Sequence, residues 1–96
     1  MKYRDEWTSR EDVVGDYGDK VPPEEQIVYA SYTYEDYCGS ALLVWRDDNG
    51  QWWENNDGHC SCYGLEQWEP ETTSREALLM REGWTGLREA VEAVPA

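Results

Sequence analysis

The sequence predicts an α+β fold: a three-stranded antiparallel meander with one or two C-terminal helices packed on one face. Three observations lead there. The run Ile27 to Tyr34 is rich in β-branched and aromatic residues, Asn49-Gly50 separates two apolar stretches, and apolar residues recur at helical spacing after Thr73. With 96 residues, of which 40% are hydrophobic and 14% aromatic, the chain has enough apolar material to form one small acidic domain rather than a disordered tail.

Residues 1–25 are polar and punctuated by Gly15, Gly18 and Pro22-Pro23, which predicts a loosely structured N-terminal arm packing through Tyr3, Trp7 or Tyr17. Ser9 and Asp12 are placed to cap one short helix carrying Val13 and Val14. The first strand is expected from Gln26 to Tyr37, with Val28, Ala30, Tyr32 and Tyr34 on its inner face. Gly39 and Ser40 turn the chain into a second strand, Ala41 to Arg46. Asn49-Gly50 suits a two-residue type I′ turn, because both residues tolerate positive φ. A third strand then runs from Gln51 to Asn55, setting Arg46 opposite Trp53 and Trp45 opposite Glu54, a guanidinium against an indole. Residues 56–72 show no periodicity and are expected as a long loop, of the kind that is functional or tied down. Thr73-Ser74-Arg75-Glu76 reads as a capping box, opening a helix through Leu78, Leu79 and Met80 that stops before Gly83. Leu87, Ala90, Val91 and Val94 define a second short helix between Gly86 and Val94.

The aromatic set is six Trp and seven Tyr with no Phe, so every ring carries a polar group. Such rings serve both cores and the centres of interfaces. The chain has 21 acidic and 8 basic side chains, a net charge of −13, and residues 24–72 hold eleven of the acids against a single base, Arg46. A field of one sign speeds encounter with basic partners and repels nucleic acid and anionic membranes. Direct binding to DNA, RNA or a membrane is therefore not expected. No stretch reaches the roughly 20 apolar residues of a membrane span, and the N-terminus lacks the apolar run of a signal peptide, so the expected location is the cytoplasm. Three Cys, an odd number, disfavour a secreted domain stapled only by disulfides.

One cluster could carry chemistry: His59-Cys60-Ser61-Cys62, with Cys38. As a Cys3His set it has the composition of a structural zinc site, but it crowds three ligands into four residues where such sites use separated pairs. A thiolate activated by His59 would need two groups held at hydrogen-bond distance, and near neighbours in sequence rarely orient that way. The expectation is that His59, Cys60 and Cys62 pin the long loop to the sheet, with no metal, no cofactor and no catalytic residue.

The block Gly58-His59-Cys60-Ser61-Cys62-Tyr63-Gly64-Leu65-Glu66-Gln67-Trp68-Glu69-Pro70-Glu71 resembles the signature of a family of small, uncharacterised bacteriophage and prophage proteins, and Tyr34 to Glu54 is similar to the same family more loosely. The resemblance implies a phage product acting in the cytoplasm of an infected bacterial host cell, in the company of host-takeover and anti-defence factors, and it implies no assigned activity. The function expected is that of a module that binds and modulates or inhibits a host protein, not of an enzyme. Trp45, Trp52, Trp53 and Trp68 would anchor it, while Asp47, Asp48, Glu54, Glu69 and Glu71 would steer and register the partner. In one version it is a DNA mimic, its carboxylates occupying the phosphate-binding surface of a nucleic-acid-binding protein. The alternatives are a structural or assembly component of the phage particle, or a homo-oligomer, and, third, a thiol- or zinc-dependent activity at Cys60 and Cys62. The oligomeric state is left open.

Overall fold

The computed structural model describes residues 2–35, 38–59 and 67–95. Its frame is a five-stranded sheet whose spatial order follows the chain: β1 Tyr3–Asp5, β2 Ile27–Glu35, β3 Cys38–Arg46, β4 Trp52–His59 and β5 Glu71–Thr73. Strands β2 to β5 are antiparallel, and β1 is parallel to β2, joined to it by a crossover that contains α1, Arg10–Tyr17. Two further helices follow, α2 Arg75–Leu79 and α3 Leu87–Glu92. The α+β class holds, but the three-stranded antiparallel meander is only the middle of a mixed sheet. Each edge gains a strand of three residues, too short to show an alternating pattern in the sequence.

Helices cover both faces of this sheet. On one side α1 and its flanking turns bury Trp7, Val13, Tyr17 and Val21 against Ile27, Ala30, Leu43 and Trp45. On the other, α2 and α3 bring Leu78, Leu87 and Val91 onto Tyr29, Leu42, Val44 and Trp52. Of residues 1–25, expected as a loosely structured arm, Tyr3–Asp5 thus joins the sheet as β1 and the segment from Trp7 to Val21 forms one of two covering layers. The physical reason is visible in β3: Ala41 to Trp45 are all buried, and a strand apolar on both sides needs cover on both sides.

Two registers differ from expectation. A bulge between Ile27 and Tyr29 sets Ile27 opposite Trp45 and Tyr29 opposite Val44. Ala30 and Tyr32 therefore lie on the α1 side as expected, while Val28 packs with the α3 cluster. In the β3–β4 hairpin, Gly50 has φ 82° and the Asp47 N–H donates to Gln51 O at 3.0 Å, so the loop has three residues rather than two. That single extra residue puts Trp45 opposite Trp53 and Arg46 opposite Trp52, instead of Arg46 opposite Trp53. The guanidinium does lie near an indole, with its carbon 5.8 Å from the Trp52 ring centroid. At α2 the cap is Ser74, whose Oγ accepts from Ala77 N, because Thr73 still belongs to β5 and pairs with Trp52. The helix ends at Leu79, short of Gly83. The Tyr29 hydroxyl donates to Thr85 O at 2.8 Å and ties the α2–α3 connection back to the sheet.

Candidate functional site

The α1 side carries a continuous row of rings. Trp53 stacks on Trp45 (centroids 6.3 Å, 9° between planes) and Trp45 on Trp68 (5.6 Å, 7°), and the row continues through Tyr17 and Trp7 to Tyr32. Polar anchors fix it. Tyr17 donates to Asp57 Oδ2 at 2.9 Å, and Asp57, 4% exposed, also accepts from Gln67 N and Gly58 N. Buried Asn55 accepts from Glu69 N and donates to Gln67 O, so residues 67–69 are clamped and Trp68 is held over Trp45. Burial, then the bond to Asp57, pushes the Tyr17 phenol well above its ordinary pKa, so it stays a donor at any physiological pH.

At the Tyr32 end the row opens into a pocket of about 360 Å³ bounded by Glu6, Trp7, Asp12, Asp16, Tyr32 and Tyr34. Three elements build it. The turn after β1 supplies Glu6 and Trp7, and the Glu6 N–H donates to Tyr32 O at 2.9 Å, extending the parallel pairing by one residue. Helix α1 supplies Asp12 and Asp16, four apart and so on one face. Strand β2 supplies Tyr32 and Tyr34, two apart and so on one side of the sheet. The Trp7 Nε1–H donates to Asp16 Oδ2 at 2.9 Å, which locks the indole floor to the helix. Asp12 Oδ2 accepts from the Thr8 hydroxyl at 2.6 Å and from Thr8 N at 2.7 Å, and these bonds hold its carboxyl below the ordinary carboxylate range. Burial, followed by the nearby negative charge of Asp16, raises the Tyr32 phenol. Tyr34 is 44% exposed, one of two large apolar side chains in the described residues that stand so far into solvent. Among the described residues, no cationic side chain borders this pocket. It is chemically suited to a positive group set between carboxylates and ring faces.

The residues singled out in the sequence are dispersed. Trp45 and Trp52, expected on a contact surface, are each 7% exposed and lie on opposite sides of the sheet, because neighbours of odd and even register in a sheet with two covers both go inward. Trp53 is half-buried at one end of the ring row, and Trp68, also half-buried, lies within it between Trp45 and Tyr17. Asp47 is engaged within its own hairpin, accepting from Asn49 N, Gln51 N and Trp53 Nε1, and these bonds, the indole's first, lower its pKa. Asp48 is exposed and accepts from Gln26 Nε2. Glu54 is paired with Arg81 of the α2–α3 segment. Glu69 and Glu71 are exposed beside and on edge strand β5. His59 ends β4 with its backbone opposite Gly39, next to exposed Cys38 at the start of β3. Cys60 and Cys62 lie outside the described residues, and among the described residues no group of three His, Cys, Asp or Glu side chains is placed to hold a metal. Among the described residues, no helix is long and apolar enough to cross a membrane.

Glu6, Asp12, Asp16, Tyr32 and Tyr34 did not stand out as a group in the sequence. The local spacing was present, four apart on a helix and two apart on a strand, but the near-balance of charge in residues 1–23 drew attention to the middle of the chain instead. Compared with family models, with curated proteins and with solved structures, the chain matches none.

Proposed function

We propose that the protein is a binding module for a basic protein surface, and that a positively charged side chain of the partner enters the pocket between α1 and β2. The observation that carries this reading is the composition of that pocket: among the described residues, three carboxylates around two tyrosines and an indole, with no Lys or Arg in its lining. Arginine suits it best, since its planar group can stack on a ring while its edge is bonded by a carboxylate. The net charge of −13 adds long-range steering toward such a partner. The resemblance of residues 58–71 to phage and prophage proteins makes the partner a host protein of the infected cell, which the module would modulate or inhibit by covering its basic face. If that face is a nucleic-acid-binding one, the carboxylates act as a DNA mimic.

The test is capture from bacterial lysate with the intact chain at about 50 mM and about 500 mM salt, where the Debye length falls from roughly 14 Å to 4 Å. The expected outcome is a basic protein retained at low salt and released at high salt, with affinity weakened about ten-fold or more by the pair Glu6→Gln and Asp16→Asn. Asp16→Asn keeps an acceptor for Trp7, so folding is preserved. A partner held equally at both salt concentrations and by the double variant would overturn the reading.

A further inference from the structure

Two of the carboxylates in the pocket between α1 and β2, Glu6 and Asp16, bring their charges to bear on Tyr32 and are largely uncommitted to the fold. Asp16 spends one oxygen, Oδ2, on the Trp7 indole. Among the described residues, its Oδ1 and the Glu6 carboxylate enter no hydrogen bond or ion pair. Asp16 is also placed against the preference of its helix. In the last turn of α1 a carboxylate opposes the helix dipole, it lies four residues from the like charge of Asp12, and no basic residue shares that turn. The aromatic wall has its own geometry. Tyr32 and Tyr34 stand two apart on β2, so the strand sets them about 6.6–6.8 Å from each other, close to twice the contact distance of stacked planar groups. Tyr32 is steadied by Trp7, with ring centroids 5.7 Å apart and planes tilted by 57°, and Tyr34 is exposed.

We propose that Tyr32 and Tyr34 are specificity determinants that make the pocket select a guanidinium over an ammonium, so that the residue read on the partner is an arginine and not a lysine. This inference rests on the basic-partner reading above and narrows it. A guanidinium is flat and carries its N–H donors in its own plane. Lying between the two tyrosines it gains a ring on each side, while its edges bond Glu6 and Asp16 Oδ1. The ammonium of lysine is a compact, more strongly hydrated charge whose donors point out of any one plane, so it gains the carboxylates without the second ring. The labour is thus divided. Glu6 and Asp16 attract either cation alike, and the tyrosine pair tells them apart.

The experiment is a titration of the intact, nitrogen-15-labelled chain with N-acetyl-arginine amide and, separately, with N-acetyl-lysine amide, at fixed pH and ionic strength, followed by NMR. Saturable shifts are expected at the Trp7 indole N–H and the amides of Asp16, Tyr32 and Tyr34, with the arginine probe binding about five-fold or more tighter than the lysine probe. Tyr34→Leu is expected to bring that ratio close to one, and Tyr34→Phe, which keeps the ring, to preserve it. Because Tyr34 is exposed, neither replacement opens the core. The pair Glu6→Gln and Asp16→Asn is expected to weaken both probes alike. A lysine probe that binds as tightly as the arginine probe, or a preference for arginine that survives Tyr34→Leu, would overturn the selectivity and leave the basic-partner reading standing. Saturation by neither probe would overturn both.

Discussion

Among the described residues, Asp57 is a carboxylate buried under the α1 layer that accepts from three donors, Tyr17 Oη and the N–H groups of Gly58 and Gln67. Replacing it by Ala strands the Tyr17 hydroxyl and the Gln67 N–H inside. We predict a loss of about 2–4 kcal/mol, read from urea unfolding, against about 1 kcal/mol for Tyr17→Phe, which removes one donor and leaves the others in place. A cost for Asp57→Ala no larger than that of an exposed residue would mean the network does not hold residues 67–69. Titration follows the same bonds with a definite sign. Asp12 and Asp47 both sit below the ordinary carboxylate pKa of about 3.9 in the folded chain, by bonding to Thr8 and to Trp53 respectively. Their contribution is therefore present above that value and is lost as pH falls through the lowered folded pKa. Both are only half-buried and their bonds are screened by solvent, so the effect is modest. It is checked by comparing acid unfolding of the wild type with Asp47→Asn, in which the drop in stability below about pH 4 should be shallower.

At the scale of elements, Ser74 is the cap that starts α2, and Ser74→Ala is predicted to cost about 1 kcal/mol in thermal or urea unfolding. Gly50→Val should cost at least as much, because φ 82° forbids a β-branched residue in the hairpin. The glycine of the hairpin was legible in the sequence, as were the middles of the three long strands and the two C-terminal helices, but the cap was expected at Thr73, β3 begins at Cys38 rather than Ala41, and β4 runs on to His59 through residues expected as loop. Strands β1 and β5 were not legible. Each has three residues, and what makes Tyr3–Asp5 a strand is a partner more than twenty residues away. The second covering layer was half visible: the unbroken apolar run Ala41 to Trp45 signals burial on both sides, which requires more cover than two C-terminal helices on one face. For the candidate site, spacing within α1 and within β2 was readable, but the convergence of Glu6, Asp12 and Asp16 with Tyr32 and Tyr34 exists only once the crossover is folded. The hairpin shows how little separates two outcomes, since one added loop residue exchanged the partners of Trp53.

Taken whole, the molecule is a sheet covered on both faces, with a pocket bearing three carboxylates between α1 and β2. Its excess negative charge opposes compaction, so melting temperature should rise as sodium chloride increases from about 10 mM to about 150 mM, measured by calorimetry. A fall over that range would show that attractive pairs such as Glu54 with Arg81 outweigh the repulsion. Deleting residues 1–25 should abolish cooperative unfolding rather than trim an arm, because it uncovers Ile27, Ala30, Leu43 and Trp45 together. The parallel indoles of Trp53, Trp45 and Trp68 also give the protein an optical signature. Transition dipoles held this close couple on ultraviolet excitation, so a split band in circular dichroism should accompany the native state. Since Trp68 joins the stack only while Asn55 and Asp57 hold its backbone, the amplitude of that band becomes a built-in gauge of whether the 67–69 strap is seated.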